Sequence, residues 1–126
     1  MIDSPGPRRF LAIQTILLLS FAAVLVPRQG SASQHEAFEH MGAADRNLAD
    51  ATIQSVLEDQ PSGELNLWRN EASGVSGGVM PLRTFKIKTG HFCREYRETL
   101  VAESKLSSRI MTACRSDEGT WITVEK

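Results

Sequence analysis

The sequence predicts an α+β domain in which one N-terminal amphipathic helix packs on an antiparallel sheet of four to five strands, with one cross-strand disulfide. One helical pattern covers residues 45–59. After Gly63 the apolar residues recur with period two in short runs, which is typical of strands. The links between these runs are too short for parallel crossovers, so neighbouring strands must pair antiparallel. Two cysteines, Cys93 and Cys114, fall within two of these runs.

Residues 1–33 have the pattern of a secretory signal peptide. Two arginines precede an uncharged apolar stretch over residues 10–26, and small residues follow at 30–33. This order of basic, apolar and small residues is that of an export signal, so we expect cleavage after Ala32 or Ser33. The alternative is an uncleaved membrane anchor, for which the 17 residues of the apolar stretch are short, because about 20 residues usually span a bilayer.

Charge and cysteine content narrow the class of protein. The chain of 126 residues carries 14 basic and 15 acidic side chains. Loss of residues 1–33, with three arginines and one aspartate, leaves 11 and 14, a net charge of −3. This balance gives no basic field for nucleic acid, so we expect no nucleic-acid partner. An even number of cysteines in an exported chain indicates a disulfide.

The mature chain begins with a polar segment and a helix. Residues 34–44 are predicted to be flexible, and a helix is predicted over 45–59, with Asp45 as its N-cap and Pro61 just beyond its end. The predicted apolar stripe of this helix consists of Leu48, Ala51, Thr52, Ile53, Val56 and Leu57. We expect this stripe to cover one face of the sheet.

Short alternating runs account for the rest of the chain. Strands are predicted over residues 64–70, 79–88, 91–101, 106–115 and 120–125. The Ser- and Gly-rich segment 71–78 is predicted to be a loop. Pro81 near the start of the second strand indicates an edge position or a β-bulge.

The cysteine spacing predicts a register for the third and fourth strands. If Cys93 lies opposite Cys114, opposed residue numbers add to 207, and the hairpin closes at Glu103–Ser104. One face of this hairpin then carries Phe92, Tyr96, Leu100, Met111 and Ala113, which suits the helix stripe. A disulfide closing a loop of about 20 residues stabilises by roughly 3 kcal/mol. The alternative is that both thiols are free.

Several short motifs follow one another in a fixed order. They are Ala44–Ala49, Trp68-Arg69-Asn70, Ser73-Gly74, Pro81–Phe85, Cys93-Arg94-Glu95-Tyr96, Ala113-Cys114-Arg115 and Gly119-Thr120-Trp121. In this order they resemble the C-terminal domain of the bacterial 17 kDa surface antigen family, over about residues 41–126. The resemblance implies a surface-antigen-like domain over 45–126, in an envelope protein at or near the outer membrane with no catalytic activity. No cysteine stands at the predicted cleavage site, so we expect no lipid attachment.

Candidate partner-binding residues come from the sheet and the loop. They are Arg94, Arg109, Arg115, Trp68, Ser73 and Gly74. In the predicted register the three arginines share the face of Tyr96, where guanidinium groups suit an anionic glycan or a partner's carboxylates. The alternatives are cross-strand ion pairs for the arginines, core packing for Trp68 and a plain loop over 71–78.

Residues for catalysis or metal binding do not form a recognisable pattern. The segment 35–40 carries two histidines and two glutamates, but it lacks the His-x-x-x-His spacing, so we expect no metal site. The chain has no Gly-x-Ser-x-Gly motif and no phosphate-binding loop. We therefore expect no cofactor and no enzymatic activity.

The sequence as a whole predicts an exported, non-catalytic structural or interaction protein of the cell envelope. We expect a monomer in the periplasm, at the outer membrane or at the cell surface, with an envelope protein or a cell-wall or outer-membrane component as its partner. Membrane contact is expected only through an uncleaved signal segment. The alternative is a periplasmic inhibitor or binding module that uses the loop 71–78 and the arginines of the sheet.

Overall fold

The computed structural model describes residues 35–125, so the predicted signal peptide lies outside the described residues. Two helices come first, α1 (Glu36–Glu39) and α2 (Ala43–Asp59). The strands are β1 (Asn66–Arg69), β2 (Ser76–Lys86), β3 (Phe92–Ala102), β4 (Lys105–Arg115) and β5 (Trp121–Val124). They form one sheet in the order β1-β2-β3-β4-β5, and every neighbouring pair is antiparallel. The predicted antiparallel sheet is confirmed.

Both helices lie on the same face of the sheet. Arg94 on β3 donates hydrogen bonds to backbone carbonyls at the end of α2, and Ser107 on β4 accepts one from α1. The register places both residues on the side of Tyr96 and Leu100, which are buried. We call this side the covered face, and the opposite side, which carries Cys93, the uncovered face.

The start and rotation of α2 differ from the prediction. Gly42 occupies the N-cap, and Asp45 lies one turn inside the helix, where its Oδ2 accepts the Gly42 N–H at 2.9 Å. The residues of α2 that are buried are Asp45, Ala49, Ile53, Val56 and Leu57. Leu48, predicted to be in the apolar stripe, is exposed, as is Ala51. The stripe is therefore only partly correct, because bonds between Asp45 and the β1–β2 loop turn the helix so that a carboxylate faces inward.

Residues 36–39, within the stretch predicted to be flexible, form the short helix α1. Ala37 is fully buried and Phe38 is buried in a cluster with Ala49, Trp68 and Leu100. The Ala37 N–H donates to Ser107 Oγ at 2.9 Å. A four-residue helix has little stability by itself, so these tertiary contacts hold it in place.

The β3–β4 hairpin has the register predicted from the cysteines. Cys93 lies opposite Cys114, and the pairing continues to Ala102 opposite Lys105. Glu103 and Ser104 form the turn with φ values of 50° and 63°. Two successive residues with positive φ are typical of a type I′ turn, which matches the twist of the strands that it joins.

The second strand begins earlier than predicted. β2 starts at Ser76 rather than at 79, so only residues up to 75 of the predicted loop 71–78 lie outside strands. The predicted irregularity near Pro81 is confirmed as a register shift between Pro81 and Arg83. Gly77 lies in the part of β2 that was predicted to be a loop, and a Cβ at this position would stand 2.7 Å from Trp68 Cε2 and 2.7 Å from the Thr99 carbonyl oxygen. The bare backbone at Gly77 lets the Trp68 indole lie directly on the strand.

Substitution of Gly77 by alanine is expected to displace Trp68 and to lower the free energy of unfolding by about 1–3 kcal/mol, the usual cost of overpacking. Urea unfolding followed by tryptophan fluorescence measures the change. Ser76→Ala, at a half-buried position of the same strand, is the control and is expected to have an effect within about 0.5 kcal/mol. Equal stabilities of the two variants would contradict the tight contact.

The core between helices and sheet has two apolar clusters. One contains Leu100 and Trp68, and the other contains Tyr96 and Trp121. Glu98 lies between Tyr96 and Leu100 along the covered face of β3 and is only 3% exposed. Its buried carboxylate separates the two clusters, so one end of the core is closed by α1 and the other by the second half of α2.

Candidate functional site

The uncovered face of the sheet presents apolar side chains to solvent. The exposed ones are Leu65, Leu67, Val101, Leu106, Ile110, Ile122 and Val124, and their exposed fractions run from 39% for Val101 to 77% for Leu67. Their pairing partners place the strand residues of this set on the side of Cys93. The solvated face of an antiparallel sheet is usually polar. Contiguous exposed apolar residues mark interaction surfaces, so this face is the candidate functional site.

A groove with a mainly apolar lining lies at one end of the uncovered face. Its volume is about 390 Å³, and its lining includes Leu65, Leu67, Gly78, Thr99 and Val101. Gly78 leaves the floor of the groove without a side chain. A Cβ at Gly78 would stand 2.9 Å from Leu65 Cδ1 and 3.1 Å from Leu67 Cδ2, so a larger residue there would push both leucines outward.

The predicted disulfide lies on the same face and is confirmed. The Sγ atoms of Cys93 and Cys114 are bonded at 2.06 Å, and their Cα atoms are 4.0 Å apart. Phe85 on β2 and Ile122 on β5 flank the pair in the same row of the sheet. Cys93 is fully buried under these neighbours. The bond therefore joins the long strands β3 and β4 across the uncovered face, and its role is structural.

Arg94, a predicted partner-binding residue, lies inside the domain. Its Nη1 donates to the carbonyl oxygens of Leu57 at 2.7 Å and Gln60 at 2.8 Å, and its Nη2 donates to Ser62 Oγ at 3.3 Å. The side chain is 7% exposed, and burial lowers the pKa of its guanidinium from the ordinary value. A cation at the C-terminal end of a helix satisfies free carbonyls and interacts favourably with the helix dipole. Arg94 therefore binds the carbonyl oxygens at the C-terminal end of α2, whose C-cap residue is Gln60.

Arg109 forms a cross-strand ion pair with Glu98, which was the alternative to partner binding in the sequence analysis. Its Nε donates to Glu98 Oε2 at 2.7 Å, and its guanidinium lies 4.0 Å from the centroid of the Phe38 ring. A partly polar cleft of about 230 Å³ opens beside this pair, between α1 and α2. The pair neutralises the buried Glu98 carboxylate and fastens α1 to the sheet.

Arg115 binds a carboxylate of α2. Its Nε and Nη2 donate to Glu58 Oε2 and Oε1 at 2.9 and 3.0 Å. The hydrogen bond from Arg115 is the main cause that lowers the pKa of Glu58, and the same bond raises the pKa of Arg115. Trp121 Nε1 also donates to Glu58 Oε2 at 2.8 Å. These contacts join the last turns of α2 to the start of β5.

Ser73 and Gly74 form a turn that is bound to α2. Asp45 Oδ1 accepts hydrogen bonds from Ser73 Oγ at 2.6 Å and from Asn70 Nδ2 at 2.7 Å. The Gly74 N–H donates to the Asn70 carbonyl oxygen, and Gly74 adopts a φ of +74° that favours glycine. The donated hydrogen bonds, Ser73 first, hold the pKa of Asp45 below its ordinary value.

Asp45→Asn is expected to change how stability depends on pH. Because the folded-state pKa of Asp45 is lowered, its contribution is complete above the ordinary aspartate pKa of about 4 and is lost as pH falls through the folded pKa. The wild-type protein is therefore expected to lose more stability than the variant between about pH 5 and pH 2. Thermal unfolding over this range measures it, and parallel curves for the two proteins would contradict the expectation.

Trp68 packs in the core, and the six predicted partner-binding residues do not converge. Trp68 is 7% exposed, and its Nε1 has no hydrogen-bond partner among the described residues. Arg94, Arg109 and Arg115 share the covered face, as predicted, but each binds a different part of the helices. Ser73 contacts Asp45 in the first turn of α2, whereas Arg115 contacts Glu58 in the last turn, at the opposite end of the helix. Partner binding by these residues stays a prediction.

The sequence analysis did not predict the apolar uncovered face, although the alternation of apolar residues indicates it. Leu65, Leu67, Ile110, Ile122 and Val124 alternate in phase with the cysteines and out of phase with Tyr96. Apolar residues in both phases of a strand indicate a sheet that needs cover on both faces. The predicted helix covers only one of these two faces.

The described part of the chain has neither a cluster of metal-binding side chains nor a helix that could span a membrane. No group of three or more His, Cys, Asp or Glu residues in residues 35–125 could hold a metal ion. Neither α1 nor α2 is long and apolar enough to cross a membrane.

Comparison of the sequence with known proteins identifies a family. The family model described as 17 kDa outer membrane surface antigen matches residues 55–122, more than half of the chain. A 17 kDa surface antigen of Rickettsia bellii is 43% identical over 84 residues, which are 67% of this chain and 53% of the relative. The antigen of Rickettsia conorii is 42% identical over the same shares, and that of Rickettsia prowazekii is 39% identical over 64% of this chain and 50% of its own length.

The chain thus spans about half the length of the curated relatives that it matches. No solved structure matches it. The family match runs from the fourth turn of α2 into β5 and includes both cysteines and the whole β3–β4 hairpin. The chain belongs to the 17 kDa outer membrane surface antigen family.

Proposed function

We propose that this chain is an exported, non-catalytic protein of the cell envelope that acts by binding a partner through the uncovered face of its sheet. Three features support export to the envelope. The relatives are named surface antigens, the first 33 residues have the pattern of a signal peptide, and disulfides persist in oxidising compartments. The outer membrane or the cell surface is the proposed site, with the periplasm as the alternative.

The apolar character of the uncovered face is the observation that carries the binding function. Leu67, Leu106 and Ile122 are each more than half exposed. Single leucines and isoleucines are common on protein surfaces. A group of them on one face of a sheet is different, because covering it would lower the free energy by about 25 cal/mol for each Å² of apolar surface removed from water. A partner with apolar side chains recovers this gain on binding.

The charge on the uncovered face narrows the chemistry of the partner. Arg97 is exposed and lies between Met80 and Ile110 in the middle of this face. Glu95, two residues away on the same face of β3, is paired with Arg83 at 3.6 Å. A guanidinium forms stronger ion pairs when a partner excludes water from it. The partner proposed is therefore a segment of another envelope protein that presents apolar side chains and one carboxylate.

Site-specific photo-crosslinking in intact cells tests this function. A photoreactive amino acid at Leu67 or Ile122 is expected to yield a covalent adduct with an envelope protein, whereas the same amino acid at Leu48 is expected to yield none. Leu48 is the matched control because it is exposed on α2, away from the sheet. Absence of adducts from Leu67 and Ile122, or equal adducts from Leu48, would contradict binding through this face.

Mass spectrometry of the exported protein without reducing agent tests compartment and processing together. The expected mass begins at residue 33 or 34, carries no lipid and lacks the two hydrogens lost in the disulfide. Free thiols on Cys93 and Cys114 would contradict export to an oxidising compartment. Turnover of ester, glycan or peptide substrates by the purified protein would contradict the absence of catalysis.

The position of the groove favours a second candidate, a periplasmic inhibitor or binding module that uses the segment 71–78. Ser76, Gly77 and Gly78 line the groove beside Leu67. In that case the purified protein should lower a hydrolytic activity of an envelope extract. Leu67→Asp, which places a charge in the groove, should remove this effect.

A further inference from the structure

The cleft between α1 and α2 is lined by charged side chains of both signs. Its volume is about 230 Å³, and its charged residues are Arg46 and Asp50 on α2 and Glu98 and Arg109 on the sheet. Two of them are cations and two are anions, so the charges of the lining cancel. We call this cavity the helix cleft. It lies on the covered face of the sheet and is therefore separate from the uncovered face, on which the proposed function depends.

The floor of the helix cleft has hydrogen-bonding capacity that the fold does not use. Glu98 is only 3% exposed, and its Oε2 accepts the hydrogen bond from Arg109 Nε at 2.7 Å. Within the described residues, Glu98 Oε1 has no hydrogen-bond partner and Arg109 donates through Nε alone. A carboxylate has two acceptor oxygens and a guanidinium has five N–H donors. The floor therefore offers an acceptor and several donors to a ligand, at a place where low exposure to water strengthens ion pairs.

The wall formed by α2 adds one cation and one anion. Arg46 and Asp50 are exposed, and neither side chain has a hydrogen bond or an ion pair with any other residue in the described range. They are four residues apart, so they lie on one face of α2 with their Cβ atoms about 5–6 Å apart. At this spacing both side chains can contact the two charged groups of one small molecule.

Contacts within the domain fix the shape of the helix cleft. The guanidinium of Arg109 lies 4.0 Å from the centroid of the Phe38 ring, and the Ala37 N–H donates to Ser107 Oγ at 2.9 Å. Both contacts hold α1 on the sheet. Phe38 and Met41 also give the cleft an apolar part, next to its charged groups. Because the walls are already ordered, a small ligand loses little affinity to the ordering of side chains.

We propose that the helix cleft binds the charged head of an amino acid, which is the α-ammonium group together with the α-carboxylate. The carboxylate binds Arg46 and the Nη groups of Arg109, because guanidinium groups match carboxylates in geometry and charge. The ammonium group binds Asp50 and Oε1 of Glu98. A simple anion or a simple cation would bring a like charge to two of the four side chains, whereas a zwitterion gives each of them an opposite charge.

Two sources in the cell envelope present this chemical group. One is a free amino acid, and the other is an amino-acid centre in a peptide of the cell wall. A water molecule takes up about 30 Å³ in the liquid, so a volume of about 230 Å³ accommodates the charged head and the first atoms of a side chain. The rest of a longer ligand would extend past the exposed residues Arg46 and Asp50 into solvent.

Titration of the exported protein with meso-diaminopimelate, followed by NMR of the backbone amides, tests the site. This probe carries two amino-acid heads. Pimelate has only its carboxylates and cadaverine has only its ammonium groups, so these two molecules are matched controls. We expect saturable shifts at Phe38, Ala49 and Arg109 with a Kd of about 1 mM or lower for diaminopimelate, and none for the controls. Absence of saturable shifts up to about 10 mM, or equal shifts with either control, would overturn the proposal.

Two variants locate the binding in the helix cleft. Arg46→Gln and Asp50→Asn each remove one charge at an exposed position, so the fold is expected to stay intact. Each is expected to weaken the binding of diaminopimelate about tenfold, because a hydrogen bond to a charged group is lost. Asp59→Asn removes the same charge at the exposed last residue of α2 and is expected to leave the affinity unchanged. Equal affinities of Asp50→Asn and Asp59→Asn would overturn the assignment.

Sedimentation with isolated cell-wall sacculi distinguishes the two sources. Wild-type protein that sediments with sacculi, together with Asp50→Asn protein that does not, assigns the site to wall peptides. Binding of diaminopimelate without sedimentation assigns it to free amino acids.

The site on the covered face does not depend on what binds the uncovered face. Leu67→Asp is expected to bind diaminopimelate as the wild type does, and loss of binding in this variant would overturn the location in the helix cleft. Absence of crosslinks from Leu67 would contradict the proposed function without affecting the titration. Absence of diaminopimelate binding would leave the crosslinking result unchanged.

Discussion

Replacement of both Cys93 and Cys114 by alanine is expected to lower the free energy of unfolding by about 3 kcal/mol. The disulfide closes a loop of about 20 residues, and its loss returns the conformational entropy of that loop to the unfolded chain. The sequence separation of the two cysteines is 21. Alanine rather than serine is chosen because Cys93 is fully buried, so a hydroxyl there would lose its contact with water.

This loss is large for a domain of this size. The described residues number fewer than 100, and small domains bury a limited share of their surface, so their total stability is only about 5–15 kcal/mol. Urea unfolding of the oxidised wild type, the reduced wild type and the double variant measures the change. Ser55→Ala, at an exposed position of α2, is the control. An unchanged midpoint after reduction would contradict a stabilising role of the disulfide.

The second large effect is expected for Arg94→Met, at about 3 kcal/mol of lost stability. Methionine is similar in length, so the site stays filled, but it donates no hydrogen bond. The carbonyl oxygens of Leu57 and Gln60 would then lose the charged donor that now lies within 2.8 Å of each. Hydrogen bonds to charged groups contribute about 1.5–3 kcal/mol, and a buried carbonyl left unpaired costs its desolvation energy.

Two further variants separate this structural role from partner binding. Arg97→Met removes the same charge from an exposed position of the same strand and is expected to change stability by less than about 0.5 kcal/mol. Arg94→Lys keeps the charge but not the planar fork, so it is expected to recover only part of the loss. Thermal and urea unfolding give these differences. Equal stability of Arg94→Met and Arg97→Met would show that the bonds of Arg94 to the end of α2 do not stabilise the domain.

The arrangement of the strands was predictable because local rules govern it. Short links require antiparallel neighbours, and two cysteines in alternating runs allowed one register for β3 and β4, which the structure has at Cys93–Cys114 and Val101–Leu106. Pro81 indicated a bulge because proline cannot donate to a strand pair, and a register shift is found there. Strand ends were less accurate, by up to three residues at the start of β2.

The candidate site was less predictable, because exposure depends on what lies above a residue. An arginine on a strand can bind an anionic partner, but α2 ends next to Arg94, and the carbonyl oxygens of Leu57 and Gln60 accept its hydrogen bonds. Leu48 belongs to a helical apolar pattern, but the bonds of Asp45 to Ser73 and Asn70 rotate that side of the helix outward. Neither contact is local in sequence, so neither can be derived from spacing.

The sequence by itself determined the class of the fold, the cysteine register and the family, because each depends on alternation, spacing or ordered motifs along the chain. Tertiary structure alone decided that α1 forms, that α2 turns Asp45 inward, and that one face of the sheet is left open. These features depend on contacts between residues far apart in the chain, such as Ala37 with Ser107 and Asp45 with Ser73. The free energy of such contacts exceeds the weak local preferences of a four-residue helix or a single side chain.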